Sequence, residues 1–246
     1  MNAADATELL RIDDLRYSYG YRQALQSVHL TIQRGELVCL LGPNGAGKST
    51  LLRALTTRNG PDGGDMYFQS QRLHSVLDRQ KFLQRVAYLG HMPGLMLDLS
   101  ALENLQFIAG LYQNRYDTRT DDRIHELLKL VGLETRAHDR VRGFSRGMQQ
   151  RLGLARIFLI DPELILLDEP LTGLDFEGEQ TLHTLLKQFL NAGGAVLAAT
   201  HSETVFADLA ARYVFLKDGR VIADVPREKY NSQAREKIKS MLYGDF

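Results

Sequence analysis

The spacing of apolar and polar residues predicts where strands and helices lie along this chain. Residues 28–32 (VHLTI) alternate between apolar and polar, which predicts a half-buried strand. Residues 36–42 (ELVCLLG) form a continuous apolar run, as expected for a strand buried on both faces of a parallel sheet. Similar runs at 85–90, 163–168 and 194–200 predict further strands of the same kind.

The middle of the chain, residues 93–160, changes to a helical period. Apolar side chains recur at helical spacing in residues 99–112, 121–133 and 146–160, so each segment predicts a helix. The polar segment 113–120 is expected to be an exposed loop between the first two helices.

Turn signals divide the remaining sequence. Residues 60–65 (GPDGGD) predict a turn. Residues 212–224 predict a β-hairpin around Asp218 and Gly219, because this pair of residues favours a two-residue hairpin turn. The charged tail, residues 226–246, predicts a surface helix.

Strands and helices alternate on both sides of the helical segment, which is the pattern of an α/β protein. We therefore predict a single domain over residues 1–246. Its α/β core comprises residues 1–92 and 161–225, a helical subdomain covers roughly 93–160, and a C-terminal helical tail covers 226–246.

Composition limits the class of function. The 246 residues include 30 Lys and Arg against 30 Asp and Glu, so a large basic surface for nucleic acid is not expected. The lone Cys39 lies within an apolar run and predicts a buried thiol in a reducing compartment. No apolar stretch approaches the length of a membrane span, and no signal peptide is recognised, so any membrane role is expected to come through a partner.

Residues 42–50 (GPNGAGKST) match the phosphate-binding P-loop at every fixed position. A predicted strand precedes the motif and a predicted helix follows it, as the motif requires; an ordinary glycine-rich turn is the alternative. We expect Lys48 to neutralise the β- and γ-phosphates and the Ser49 hydroxyl to ligate Mg²⁺. The predicted nucleotide-binding residues here are Gly42, Pro43, Asn44, Gly45, Ala46, Gly47, Lys48, Ser49 and Thr50.

Acidic residues follow the apolar strand 163–168, and ligands bind at the carboxyl ends of parallel strands. Asp168 is expected to hold Mg²⁺ directly or through water, and Glu169 to orient or deprotonate an attacking water. His201 ends another apolar strand, where it could bond the γ-phosphate or hold that water with Glu169. The alternatives are a solvated turn for the acidic pair and a structural role for the histidine.

A second helix start also suits an anion. Ser145 and Gly147 open a predicted helix, and helix N-termini attract phosphate. Ser145 is also expected to cap this helix, and the two roles are compatible. A chain with one P-loop thus has two helix starts that could face phosphate.

These motifs resemble the ATP-binding subunits of ABC transporters, and the resemblance covers nearly the whole chain. The stretch FSRGMQQR (144–151) resembles their signature motif, and LTGLD (171–175) resembles their D-loop. The resemblance implies a P-loop NTPase fold, with a RecA-like core, an antiparallel β subdomain and an ABC helical subdomain. It also implies ATP and Mg²⁺ as cofactors and ATP hydrolysis coupled to transport.

The resemblance assigns roles to individual residues. It implies that Tyr19 stacks on adenine, although a plain strand aromatic is the alternative. It implies catalytic roles for Lys48, Glu169 and His201. The signature and D-loop residues implied to contact nucleotide are Ser145, Gly147 and Asp175.

In this family, two ATPase domains pack head to tail, and each signature covers the γ-phosphate that the other domain holds. The implied partners are therefore a second ATP-binding subunit, identical or different, and integral membrane transporter subunits, without nucleic acid. The implied location is the cytoplasmic face of the cell membrane, with the subunit attached peripherally. The signature departs from the usual pattern at Phe144, Arg146 and Met148.

A second departure concerns the Gln loop. By alignment Met92 takes the position of the glutamine, and a thioether cannot ligate Mg²⁺ as an amide can. Either His91 substitutes or water replaces the ligand; we favour water.

Residues 88–105 (YLGHMPGLMLDLSALENL) also resemble the Gly-His-Gln-Pro-Gly stretch of the haem exporter ATP-binding subunit of cytochrome c biogenesis. This resemblance would imply that the subunit powers haem movement or the release of haem from its chaperone. Drug, lipid or polysaccharide export stays open. Two other classes are alternatives: a soluble ABC ATPase of DNA repair or translation, and a nucleotide sensor that does not hydrolyse ATP.

Overall fold

Two β-sheets and seven α-helices form the fold in the computed structural model, which describes residues 8–57, 60–112, 118–201 and 203–243. The first sheet is antiparallel, with strand order β2-β1-β4-β5. Its strands are β1 (Glu8–Tyr19), β2 (Arg22–Gln33), β4 (Gly63–Phe68) and β5 (Gln71–Arg72).

The second sheet has the order β10-β9-β3-β8-β7-β6, and all its pairings except β10 with β9 are parallel. Its strands are β3 (Leu37–Leu41), β6 (Val86–Leu89), β7 (Leu164–Asp168), β8 (Ala195–Ala199), β9 (Arg212–Lys217) and β10 (Arg220–Pro226). β3, from the first fifth of the chain, lies between β8 and β9, from the last quarter.

The helices follow the chain between these strands. They are α1 (Lys48–Thr56), α2 (Val76–Leu83), α3 (Ala101–Tyr112), α4 (Thr118–Leu130), α5 (Arg146–Leu159), α6 (Phe176–Asn191) and α7 (Ser232–Tyr243). Single turns of 3₁₀-helix lie at Glu134–Arg136, Val141–Gly143 and Arg227–Lys229.

The six-stranded sheet is buried on both faces. Consecutive residues of a strand point to opposite sides of the sheet, so each strand contributes to two hydrophobic clusters. In β3, for example, Val38 and Leu40 pack into one hydrophobic cluster, with α1 and the antiparallel sheet. Leu37, Cys39 and Leu41 pack into the other, with α3 to α6. This two-sided burial explains the continuous apolar runs in the sequence. Burial also raises the pKa of the Cys39 thiol to about 12.

The sequence predictions place most of these elements within a few residues. The segment 113–120 differs: residues 113–117 lie outside the described residues, but α4 begins at Thr118, and Thr120 is buried rather than in an exposed loop. The turn predicted at 60–65 gives way to β4 at Gly63. The helical tail carries two buried side chains, Ile238 and Leu242, which fix α7 to the core.

Candidate functional site

The P-loop, residues 42–49, connects β3 to α1 and needs glycine at several positions. Gly42, Gly45 and Gly47 have φ angles of 153°, 82° and 107°, which disfavour other residues. A Cβ on Gly42 would lie 2.1 Å from the carbonyl oxygen of Leu216 on β9. Gly47 is the N-cap of α1 and offers no side-chain cap, so the first N–H groups of α1 lack a side-chain partner at this end. The loop therefore has the geometry of a phosphate cradle.

Lys48 lies across this loop. Its Nζ donates hydrogen bonds to the carbonyl oxygens of Gly42 at 2.7 Å and Pro43 at 3.2 Å. Burial lowers the pKa of Lys48, and the nearby carboxylates of Glu169 and Asp168 oppose that effect. Lys48 is only 8% exposed. The loop therefore holds a buried cation whose hydrogen bonds go to carbonyl oxygens rather than to a carboxylate.

Asp168, at the end of β7, is 1% exposed and is held by two hydroxyl groups. The Ser49 Oγ donates to its Oδ1 at 2.9 Å. The Tyr88 hydroxyl, from the adjacent strand β6, donates to its Oδ2 at 3.3 Å. Burial raises the pKa of Tyr88, so its hydroxyl keeps its proton at neutral pH. The sequence analysis assigned Ser49 and Asp168 to the same Mg²⁺ ion, without a contact between them, and missed Tyr88, which lies inside an apolar strand without a motif.

The oxygen atoms of Ser49 and Asp168 suit Mg²⁺, which prefers hard oxygen ligands and usually keeps water or substrate phosphate in its shell. Within the part of the chain that the structure describes, no group of three or more His, Cys, Asp or Glu side chains could hold a metal ion. A cation at Ser49 and Asp168 would therefore need further oxygen atoms from phosphate or water.

Glu169 directly follows β7 and contacts His201. The Oε2 of Glu169 lies 2.9 Å from the Nδ1 of His201. Glu169 has a φ of 51°, an uncommon angle for a residue with a side chain, and its N–H donates to the carbonyl of Ala199 on β8. Its carboxylate is 17% exposed, whereas the His201 side chain is 76% exposed. The histidine thus holds one carboxylate oxygen at the edge of the site.

Some of these residues line a pocket of about 560 Å³. It is lined by the predicted residues Tyr19, Asn44, Gly45, Ala46, Gly47, Lys48, Ser49, Thr50 and Glu169, together with Arg22, Gln23, Ala24, Gln26, His91, Asp218 and Gly219. The β9–β10 turn belongs to this wall because the N–H of Gly219 donates to the carbonyl of Ala46 at 2.9 Å. The β2 and hairpin residues were not predicted, since they carry no phosphate-binding pattern.

Only one of the two residues considered at the Gln-loop position lines the pocket. His91 lines the pocket, whereas the Met92 side chain is 87% exposed and is not among the lining residues. The residue of this segment that reaches the pocket is therefore His91, and the expectation that water completes the metal shell stays a prediction.

Five predicted nucleotide-binding residues are not among those that line the pocket, namely Gly42, Pro43, Ser145, Gly147 and Asp175. The predicted Asp168 and His201 are not among the lining residues either, although they contact the lining residues Ser49 and Glu169. Ser145 caps α5 by accepting a hydrogen bond from the N–H of Met148 at 3.2 Å, as predicted. Gly147 faces the D-loop of its own chain, where an added Cβ would lie 2.7 Å from the carbonyl of Gly173. Asp175 caps α6 and pairs with Arg151 of α5. Ser145, Gly147 and Asp175 thus lie outside the pocket lining, at the start of α5 and in the D-loop, where a helix cap and an ion pair hold them.

None of the described helices is both long and apolar enough to cross a bilayer.

Comparison with known proteins identifies relatives over nearly the whole chain. The family model described as ABC transporter matches residues 25–172. The cytochrome c biogenesis ATP-binding export protein CcmA 2 of Cupriavidus metallidurans is 37% identical, over 83% of this chain and 97% of that protein. The SkfA peptide export ATP-binding protein SkfE of Bacillus subtilis is 34% identical, over 96% of this chain and 97% of that protein.

Among solved structures, a dimeric bacterial ABC transporter cassette, MJ0796, superimposes with a TM-score of 0.80 and 28% identity. The match covers 89% of this chain and 99% of the cassette. This likeness confirms the fold class predicted from the sequence, a P-loop NTPase core with a helical subdomain.

Proposed function

The chain belongs to the ABC transporter family, and from this premise we propose how its residues bind and hydrolyse ATP. It is an ATP-hydrolysing subunit of an exporter of that family. The observation that carries the residue assignments is the convergence of Lys48, the Ser49–Asp168 pair and Glu169 around one pocket.

ATP binds with its phosphates in the P-loop and its base toward Tyr19. Lys48 is already buried over the loop, and its bonds to the Gly42 and Pro43 carbonyls are exchanged for phosphate oxygens. Tyr19 is half exposed at the pocket wall, and in this scheme its ring stacks on adenine. The N–H groups at the start of α1 add the positive end of the helix dipole.

Ser49 and Asp168 would hold Mg²⁺, which when bound neutralises phosphate charge. Glu169 acts as the base that orients and deprotonates the attacking water, a contribution of about 10²–10⁴ in rate. His201 holds the Glu169 carboxylate through Nδ1 and leaves its exposed edge free toward the γ-phosphate. The strained φ of Glu169 is consistent with a residue placed for chemistry.

A second ATP-binding subunit completes each site. Ser145, Gly147 and Asp175 do not line the pocket of their own chain, although the signature helix has the N-terminus of an anion site. A head-to-tail dimer would bring them to the nucleotide of the partner. ATP favours the closed dimer because it bridges both surfaces, and the dimer opens after hydrolysis.

The transport path lies in separate integral membrane subunits, and the chain acts at the cytoplasmic face of the cell membrane. The proposed direction is export, as in the names of the two relatives. The proposed cargo is haem for cytochrome c biogenesis, on the resemblance of residues 88–105 and on the CcmA 2 relative. Deleting the gene should then abolish haem-stained c-type cytochromes in its own cell, and normal cytochromes would exclude that cargo.

The catalytic assignment is tested with Glu169→Gln, with the exposed α6 variant Glu179→Gln as a matched control. The Glu169 variant should bind ATP but release phosphate about 10²–10⁴-fold more slowly, so ATP-dependent dimers should accumulate in size-exclusion chromatography. The Glu179 variant should behave as the parent protein does. Unchanged turnover in Glu169→Gln would remove this residue as the base.

A further inference from the structure

The second oxygen of Asp168 has its own partner, and that partner is Tyr88. Tyr88 lies on β6, whose backbone pairs with β7, so the two side chains meet at the same end of the sheet. The Tyr88 hydroxyl donates to Oδ2 at 3.3 Å, while Ser49 donates to Oδ1 at 2.9 Å. The carboxylate is thus held at both oxygens, and rotation about its last torsion would break both bonds.

Asp168 determines which way the Tyr88 proton points. A carboxylate has no proton to donate, so the Tyr88 hydroxyl is the donor in this bond. The Arg53 guanidinium of α1 acts on the same hydroxyl. Arginine only donates, so it does not compete with Asp168 for the proton.

The surrounding backbone keeps the hydroxyl in this place. A Cβ on Gly90 would lie 2.6 Å from the Tyr88 hydroxyl oxygen, so a side chain at position 90 would displace it. Arg156 of α5 donates to the Tyr88 carbonyl oxygen at 2.7 Å and fixes the strand itself. The Arg156 bond and the space left by Gly90 together keep Tyr88 where its hydroxyl reaches Asp168.

We propose that Tyr88 is a positioning residue that fixes the orientation of Asp168, so that Oδ1 stays directed at Ser49 and at the proposed Mg²⁺ position. This inference rests on the proposed function, which assigns Asp168 and Ser49 to the metal. Tyr88 does not touch nucleotide in this scheme. Its hydroxyl lowers the cost of holding one carboxylate oxygen toward the cation, and the residue therefore acts on metal dependence rather than on nucleotide affinity without metal.

The test measures binding of a fluorescent ATP analogue as a function of Mg²⁺ concentration, beside binding in EDTA. Tyr88→Phe should raise by about tenfold the Mg²⁺ concentration that gives half-maximal binding of the analogue. This is the range expected for the loss of one hydrogen bond to a charged group. Binding in EDTA should not change. The hydroxyl-deletion control is Tyr67→Phe on β4, in the antiparallel sheet, which should alter neither measurement.

Gly90→Ala provides a second variant that keeps the tyrosine but displaces its hydroxyl, and it should raise the Mg²⁺ requirement in the same direction. This variant decides the matter if Tyr88→Phe fails to fold. Unchanged Mg²⁺ dependence in the folded variants would overturn the inference. Asp168→Asn distinguishes a failure of the Tyr88 inference from a failure of the metal assignment. If Asp168→Asn greatly weakens the Mg²⁺ dependence of binding while Tyr88→Phe has no effect, only the Tyr88 inference fails. If Asp168→Asn has no effect, the metal assignment fails and the inference falls with it.

Discussion

The close approach of Gly42 to β9 allows a sharp test of how the P-loop is held. Alanine at position 42 would place its Cβ 2.1 Å from the Leu216 carbonyl oxygen and 3.2 Å from the Ala46 Cβ. Neither neighbour can rotate away, because one is backbone and the other belongs to the loop itself. Since separations under 3.0 Å are not tolerated, the loop or the strand must move by about 1 Å.

The cost has two parts. The unusual φ of 153° costs about 1–3 kcal/mol for a residue with a side chain. Overpacking against Leu216 adds about 1–3 kcal/mol. Gly45→Ala is the matched control, because Gly45 has a φ of 82° but no atom within 4 Å of an added Cβ. It should show the conformational part alone, so the two variants should differ by about 1–3 kcal/mol in the free energy of unfolding.

Urea unfolding and thermal melting without nucleotide measure this difference, which for a chain of this size corresponds to about 2–12 °C in Tm. The 1 Å displacement should also reduce the ATPase rate of Gly42→Ala about 10²-fold. If Gly42→Ala unfolds no more easily than Gly45→Ala, the steric contact with Leu216 does not fix the P-loop, and the reasoning is refuted.

Three other substitutions test contacts around the site. Ser145→Ala should lower the free energy of unfolding by about 1 kcal/mol in urea, through loss of the α5 cap, whereas no change would mean that the cap contributes nothing. The hydrogen bond from Arg151 lowers the pKa of Asp175 below its ordinary value of 3.8, so this pair stabilises the fold above that pH and ceases to do so as the acid protonates. Asp175→Asn keeps the cap, so it should unfold in urea more easily than the parent at pH 6, and this gap should narrow as the pH falls below 3.8; a gap that does not change with pH would contradict the pair. Arg212→Met should cost about 3 kcal/mol by leaving the carboxylate of Glu36 without its partner, and Arg212→Met/Glu36→Gln should recover part of the loss.

The parts of the site that could be predicted from sequence are those with a local cause. The P-loop and Asp168 follow continuous apolar strands, and the parallel sheet brings the ends of those strands together. The Ser145 cap was predictable because capping depends on a few adjacent residues. The roles of Glu169 and His201 stay predictions, although the structure brings the two side chains into contact.

The missed features depend on partners distant in sequence. Tyr88 looks like any apolar residue of a buried strand, and its contact with Asp168 follows from pairing between β6 and β7. β1 was missed for a related reason: register shifts interrupt its alternation, and its pairing with β2 and β4 decides its conformation. The choice between His91 and Met92 depends on the path of a loop, which an alignment by motif does not fix.

The ribosome synthesises the P-loop long before it synthesises the strands that hold this loop in place. The loop is finished at residue 49, but β8 and β9, which flank β3, extend to residue 217, and the hairpin that bonds Ala46 closes at Gly219. The nascent chain therefore cannot form a lasting ATP site until residue 219 has been translated. Truncation anywhere before β9 removes one neighbour of the central strand, and such a fragment should be cleared by proteases rather than compete with the intact subunit for the transporter.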